Sequence, residues 1–466
     1  MSAQAIVRDS KRRCVRVSMI VVLCALTVVP FAVLRGFGGQ LAAAVVTDPG
    51  PRGGSASAGG PLPGLSTKEL AFFQAGLTTF QEVDSVTGSI SGTGSGLGPR
   101  FNSNSCVSCH QQPAIGGSSP PTNPLYSVFQ ANGATNTMPS FITPTGPVLE
   151  PRFPYQSDLV TRDGGVHDLF TITGRSDASG CNISQPDFAT AQQQNNLIFR
   201  QPTPMFGAGL IEAIQSSDII ANMQANGAQK LALGIGGHPN YNGNDGTITR
   251  FGWKAQNKSL LLFVAEAYNV EMGVTNELFQ NERNETSGCV FNGIPEDHTN
   301  FGKSSTSEPA DIMMFEFFAR FLNQPTPGPQ SLSTLNGASK FVSTGCALCH
   351  NPTFRTPVSS SNSITNVRAN LFSDLLVHHM GPSLADNVPQ AAAGPDEFRT
   401  APLWGLGQRI FFLHDGRTTD LIQAIQAHFS QASPPYPASE ANAVIANFNA
   451  LSPQDQQDLI NFLRSL

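Results

Sequence analysis

Charge is scarce in this sequence. Only 13% of its residues are Asp, Glu, Lys or Arg, and a net charge of −6 offers no basic stripe of the kind that nucleic acid requires. Nucleic-acid partners are therefore excluded. The composition of a disordered or fibrous chain is missing too. Apolar residues reach 40% while Gly (44) and Pro (34) are plentiful, which reads as a loop-rich globular protein of 466 residues, long enough for two or three domains. Cysteine is scarce, and its eight copies fall into three groups: Cys14 and Cys24 near the N-terminus, four in two CxxCH motifs, and the pair Cys181 and Cys289.

One long apolar run stands out, Val17 to Leu34. It follows Arg8, Lys11, Arg12, Arg13 and Arg16 and precedes the small residues "LAAAVV" at 41–46. That is the order of an export signal, with cleavage expected after Ala44. The run is also just long enough to remain as a membrane anchor. Either way residues 1–44 are a signal peptide or anchor, and the rest of the chain is expected in the periplasm or another extracytoplasmic space. There Cys181 and Cys289 can either pair as a disulfide or remain as two buried thiols, and spacing alone does not decide between them.

Residues 45–65, rich in Gly, Pro and Ser, read as a flexible linker. Ser66 and Glu69 then make a capping-box pattern ahead of "LAFFQAGLTTFQEV". Further helices are expected over "KSLLLFVAEAYNVEM" and "ADIMMFEFFARFLN", and "QPTPGPQ" marks a boundary after residue 323. The last stretch, "LSPQDQQDLINFLRSL", has Ser452 as N-cap, Pro453 at the first helical position and Leu459, Ile460, Phe462, Leu463 and Leu466 on one face. The expected fold is mostly α. It comprises two cytochrome c-like haem domains, 66–323 enlarged by loop-rich insertions and 324–466.

"SCVSCH" at 105–110 and "GCALCH" at 345–350 carry the chemistry. In CxxCH two thiols add across haem vinyl groups while the adjacent histidine reaches the iron. Cys106, Cys109, Cys346 and Cys349 are thus the anchors of two covalent haems c, and His110 and His350 the proximal ligands. A zinc site made from both CxxC pairs is disfavoured by their 240-residue separation. The surroundings repeat as well. Phe101 and Phe341 each lie five positions before the first cysteine, "FRQPTPMFGAG" resembles "FRTAPLWGLG", and "LIEAIQSS" resembles "LIQAIQAH".

With "GPRFNSNSCVSCH", "FGWKAQNKSL", "FSDLLVHHMGPSLAD" and "FRTAPLWGLGQRIFFLHDGRTTDLIQAIQAH", the chain resembles the di-haem c-type oxidoreductases called peroxidase-like or thiol oxidoreductase-like. These are distant relatives of bacterial di-haem cytochrome c peroxidases. The resemblance implies peroxide reduction, or oxidation of another substrate, at the first haem, with a redox partner protein or a small oxidant such as peroxide exchanging electrons through the second. The rival readings are a pure electron-transfer cytochrome and an oxygenase acting on a hydrophobic substrate.

In the peroxidase relatives the second haem takes its distal ligand 14 places after the histidine of "HDG". Here His414 opens that motif and His428 stands at the ligand position, where the relatives usually have Met. His414 itself reads as a structural residue near the haem edge. The repeat sets Ser217 against His428, so the first iron lacks its twin's ligand, and His167, or His378 and Met380 across the interface, are the candidates to fill it. Glu212, opposite Gln423 in the repeat, is the candidate catalytic acid. Trp404, and after it Trp253, are candidates to relay electrons between the haems, as in relatives with an interposed tryptophan.

Overall fold

The computed structural model describes residues 45–129, 131–283, 285–300 and 309–466, so the expected signal or anchor at 1–44 lies outside the described residues. Helix Thr67–Phe80 starts where the sequence pattern places it, with the Ser66 hydroxyl accepting the Glu69 N–H and the Glu69 carboxylate accepting the Ser66 N–H. It lies against helix Asp311–Phe321, with Phe73 and Phe80 packed on Phe318. Gly76 makes that approach possible, because a Cβ there would sit 2.2 Å from the Met314 carbonyl oxygen. Helix Leu260–Met272 packs on the same Asp311–Phe321 helix and completes the first core.

The second half repeats the device. Helix Leu332–Ser343 crosses the C-terminal helix Pro453–Ser465 at Gly337, where a Cβ would meet the Asp458 carbonyl oxygen at 1.9 Å. The expected stripe of Leu459, Ile460, Phe462, Leu463 and Leu466 is buried in that contact. Among the described residues there are thirteen α-helices and five two-stranded antiparallel ribbons, and irregular chain joins them. None of these helices is long and apolar enough to cross a membrane.

Two expectations are revised by the packing. Residues 45–65 are not a free linker but a strap laid along the body. Arg52 N–H donates to Gly407 O, Asn323 N–H to Gly60 O and Thr326 N–H to Ser57 O, and Leu62 is 3% exposed. Glycine and proline leave this extended chain without a regular backbone ladder of its own: two of its amides turn to neighbouring side chains, Gly50 to Asp48 and Ser57 to Ser55, and others find partners on the body. Nor does packing break at 323/324, since the described residues form one compact unit. Cys181 and Cys289 form a disulfide, which settles the alternative left open by their spacing.

The strap is fastened by Asp48, whose carboxylate takes two hydrogen bonds from Arg464, at 2.8 and 2.6 Å, with both side chains 4% exposed. Burial pushes the Asp48 carboxyl up, but the Arg464 bonds and two backbone amides outweigh it and hold it below the usual value. The bond therefore stabilises the fold fully above the ordinary carboxylate range, and the contribution is lost as pH falls through the lowered value. Asp48→Asn should leave Arg464 as a buried, unpaired cation and cost about 3–5 kcal/mol in urea unfolding.

Candidate functional site

Two cavities open beside the CxxCH motifs. The second, of about 220 Å³, is walled by Phe341, Leu406, Phe412, Ile425, Phe448 and Leu463, with Cys346, Cys349 and His350 on its surface. His350 Nδ1 lies 3.0 Å from the Phe372 carbonyl oxygen and His428 Nδ1 lies 2.8 Å from that of Ala424. Each carbonyl fixes the Nδ1–H tautomer, leaving Nε2 as a lone-pair donor inside the cavity. Burial first, and then the neighbouring His428, push His350 down to about 4, and burial lowers His428 as well. Two neutral imidazoles thus share one apolar cavity. His414 lines it too, stacked at 4.3 Å on Phe398 and pushed by burial to about 4.

The first cavity, of about 360 Å³, holds Cys106, Cys109 and His110, and His110 is the one histidine among its lining residues. His110 Nδ1 faces the Gly117 carbonyl oxygen at 3.0 Å, the same anchoring as at His350. No second imidazole stands opposite among the described residues. Glu150, Glu266 and Glu271 line the cavity instead, with Arg152, Arg200 and Arg283. Burial, and then the charge of Glu150, push Glu271 well above the ordinary carboxyl value, while Arg152, bonded to Glu150 through Nε at 2.5 Å, keeps Glu150 ionised. Of the two carboxyls Glu271 is the one whose surroundings favour the protonated form, and its Oε2 accepts from Asn102 at 3.1 Å.

Both cavities suit a haem carrying two carboxylates. Arg399 and Arg409 are buried in the wall of the second and lowered by that burial to about 10, and Arg399 Nε has no hydrogen-bond partner among the described residues. Arg283 Nε in the first is likewise unmatched. Arg399 and Arg409, buried without an ion pair among the described residues, beside paired thiols and an oriented imidazole fit an apolar ring with anionic side chains, whereas Arg283 is already paired with Asp168 and has only its Nε to offer.

Other expected residues lie elsewhere. Glu212 lines neither cavity: its Oε1 accepts the Leu260 N–H at 2.8 Å and its Oε2 pairs with Arg320 at 2.8 Å, so it caps the Leu260–Met272 helix. His167 stacks at 3.7 Å on Phe153 and pairs with Asp163, outside the first cavity. His378 and Met380 line the second cavity, not the first. Trp404 is 4% exposed in a core cluster and lines neither. Trp253 is the residue common to both linings, its Nε1–H donating to Gln201 O at 2.8 Å and its ring edge-on to His414 at 6.3 Å.

A family model described as "Di-haem oxidoreductase, putative peroxidase" matches residues 156–466. The chain belongs to the di-haem oxidoreductase family. The match covers the second CxxCH, while the first lies upstream of it. Haem is the cofactor of this family, in keeping with both cavities. A search of curated proteins gives no match. Among solved structures, the chain is similar to Kuenenia stuttgartiensis hydrazine synthase, at 18% identity and TM-score 0.22, over 36% of this chain and 59% of that one. It is also similar to a MauG-like protein associated with microbial copper homeostasis (16%, TM-score 0.30, over 50% and 79%). A third is the diheme peroxidase BthA from Burkholderia thailandensis (14%, TM-score 0.29, over 47% and 65%).

Proposed function

We propose that the chain is an exported di-haem peroxidase built from two haem-bearing halves, 66–323 and 324–466. Cys106, Cys109 and His110 hold the first covalent haem c, and Cys346, Cys349 and His350 the second. Peroxide is reduced at the first site, and a redox partner protein delivers electrons through the second, in the periplasm or an equivalent compartment. The inequality of the cavities carries this reading, since the second offers two oriented imidazoles and the first offers one imidazole and, elsewhere in its lining, a carboxyl that burial and Glu150 bias towards its protonated form.

Bound haem supplies the electrons and the coordination position that peroxide cleavage needs. The protein's own part begins at Glu271, which holds a proton ready for the departing oxygen. Asn102 fixes the carboxyl's orientation, and Arg152 stabilises the negative charge that remains once the proton is given up. His428, whose Nε2 is left free in the cavity that it shares with His350, would serve with His350 to hold the second haem and so keep peroxide from that site. Trp253, held by Gln201, offers a π-system against both cavities.

Peroxide added to the reduced protein tests the reading: rapid reoxidation with turnover supports the enzyme, and inertness leaves an electron carrier. A pyridine haemochrome assay should return two haems per chain. Trp253→Phe should slow electron equilibration between the haems, followed by stopped-flow absorbance, with both ligation spectra unchanged. An unaltered rate removes Trp253 from the route.

A further inference from the structure

The chain has 31 Phe, 5 Tyr and 2 Trp, and of these rings only Tyr and Trp give up an electron readily. Tyr268 is the one tyrosine that lines either cavity, and it lines the first together with Trp253. It stands on helix Leu260–Met272 three residues before Glu271, a spacing that puts both side chains on one helix face. A run of ring contacts leads from it to the first site. Tyr268 is edge-on to Phe315 at 5.0 Å, Phe315 to Phe80 at 6.3 Å, and Phe80 to His110 at 6.2 Å.

The two oxidisable rings differ in where their protons can go. Trp253 Nε1–H donates to the Gln201 backbone carbonyl, which cannot take a proton. The Tyr268 hydroxyl donates to Asp311 Oδ2 at 3.2 Å, and a carboxylate can. Asp311 does not line the cavity, so the ring, 4% exposed, borders the first site while its proton acceptor lies outside it. Asp311 is fixed as the first residue of helix Asp311–Phe321, its N–H donating to Asp297 Oδ1 at 2.6 Å. Burial raises the Asp311 carboxyl above its ordinary value even though the Tyr268 bond lowers it, which strengthens it as a base. Burial, and then the charges of Asp84, Asp311 and Asp297, push the Tyr268 phenol well up, so its proton does not leave alone.

We propose that Tyr268 is a redox-active residue of the first site, giving one electron to that site and its phenolic proton to Asp311 in one step. The phenol O–H bond breaks, a carboxyl O–H forms on Asp311, the ring is left as a neutral phenoxyl radical, and the site that peroxide has oxidised is reduced by one electron. An electron arriving from the second site, with the proton returned by Asp311, restores the tyrosine. Moving both particles together avoids the two charged alternatives, a buried phenol cation and a phenolate among carboxylates. The role rests on the peroxidase reading. When the second site has no electron to give, Tyr268 supplies one of the two that peroxide withdraws as its O–O bond breaks.

Haem-loaded, fully oxidised protein mixed with hydrogen peroxide and rapidly frozen for electron paramagnetic resonance provides the test. A tyrosyl radical is expected, its hyperfine pattern collapsing when the protein is made with ring-deuterated tyrosine. Tyr268→Phe, which keeps the packing on Phe315, should abolish the signal, and Tyr126→Phe, which changes an exposed tyrosine, should leave it unchanged. Asp311→Asn keeps an acceptor for the hydroxyl but no base, and should slow radical formation by about 10²–10⁴-fold. The haem absorption spectrum and far-UV circular dichroism report whether each variant is folded, and Tyr268→Phe carries the test if Asp311→Asn does not fold. A tyrosyl signal that persists in the folded Tyr268→Phe variant overturns the assignment. Peroxide consumption by the reduced protein, followed in parallel, separates the two readings: consumption there without any tyrosyl signal in the oxidised protein overturns the role of Tyr268 alone, and inertness of both forms overturns both.

Discussion

Replacing His428 with Ala is expected to convert the second haem of the oxidised protein from low spin to high spin while the first keeps its spectrum. His428 Nδ1 is tied to the Ala424 carbonyl one turn earlier, which presents Nε2 to the cavity that holds His350. Burial keeps both rings in the neutral, ligating form. The alanine variant removes a strong-field nitrogen and leaves a water-sized space in an apolar wall, so the iron's field weakens. Electron paramagnetic resonance reads this directly as one low-spin signal replaced by a high-spin one. If the low-spin signal persists in the variant, Met380, which lines the same cavity, is the ligand and His428 only packs.

That His428 lies in the second cavity was legible because its position depends on a local repeat. The spacing from His414 fixes the turn of helix Leu421–Gln426 and the residues just beyond its C-terminus, and the surrounding half has few insertions. The same comparison misplaced Glu212. Its twin Gln423 sits on an equally short helix, but the first half has an additional long helix, Leu260–Met272, whose N-terminus takes the Glu212 carboxylate as a cap. Sequence alignment preserves order along the chain, not which neighbour an insertion brings.

The acid that does face the first cavity lay inside the stretch read simply as a packing helix. Phe263, Ala267, Val270 and Glu271 recur at helical spacing and all line the cavity. A glutamate continuing an apolar stripe was the available signal. Glu150, from the short strand Glu150–Arg152, had none, because the carboxyl it is coupled to, Glu271, arrives from over a hundred residues away. The strap at 45–65 was misread for a related reason, since composition reports the lack of internal structure and not the partners that an extended backbone finds outside itself.

Changing Glu271 to Gln is expected to slow the reaction of the reduced protein with peroxide by about 10²–10⁴-fold, the range for loss of a positioned acid, with both haem spin states intact. Glu212→Ala, by contrast, should leave that rate unchanged and cost about 1–3 kcal/mol of stability, as the Leu260 amide loses its acceptor and Arg320 keeps only Glu316 of its two carboxylates. The pH profile separates an acid from a merely structural carboxyl. Burial and then the negative charge of Glu150 raise Glu271, which carries its protonated form to higher pH than a free carboxyl, so the rate should fall on the alkaline side, as pH rises through that raised value. Glu150→Gln removes the charge that helps hold the proton on Glu271 without removing Glu271 itself. The alkaline fall should therefore move to lower pH in that variant, with the low-pH rate largely retained. A profile that stays in place in Glu150→Gln, or a Glu271→Gln variant that reacts at the wild-type rate, would show that the proton comes from elsewhere in the cavity.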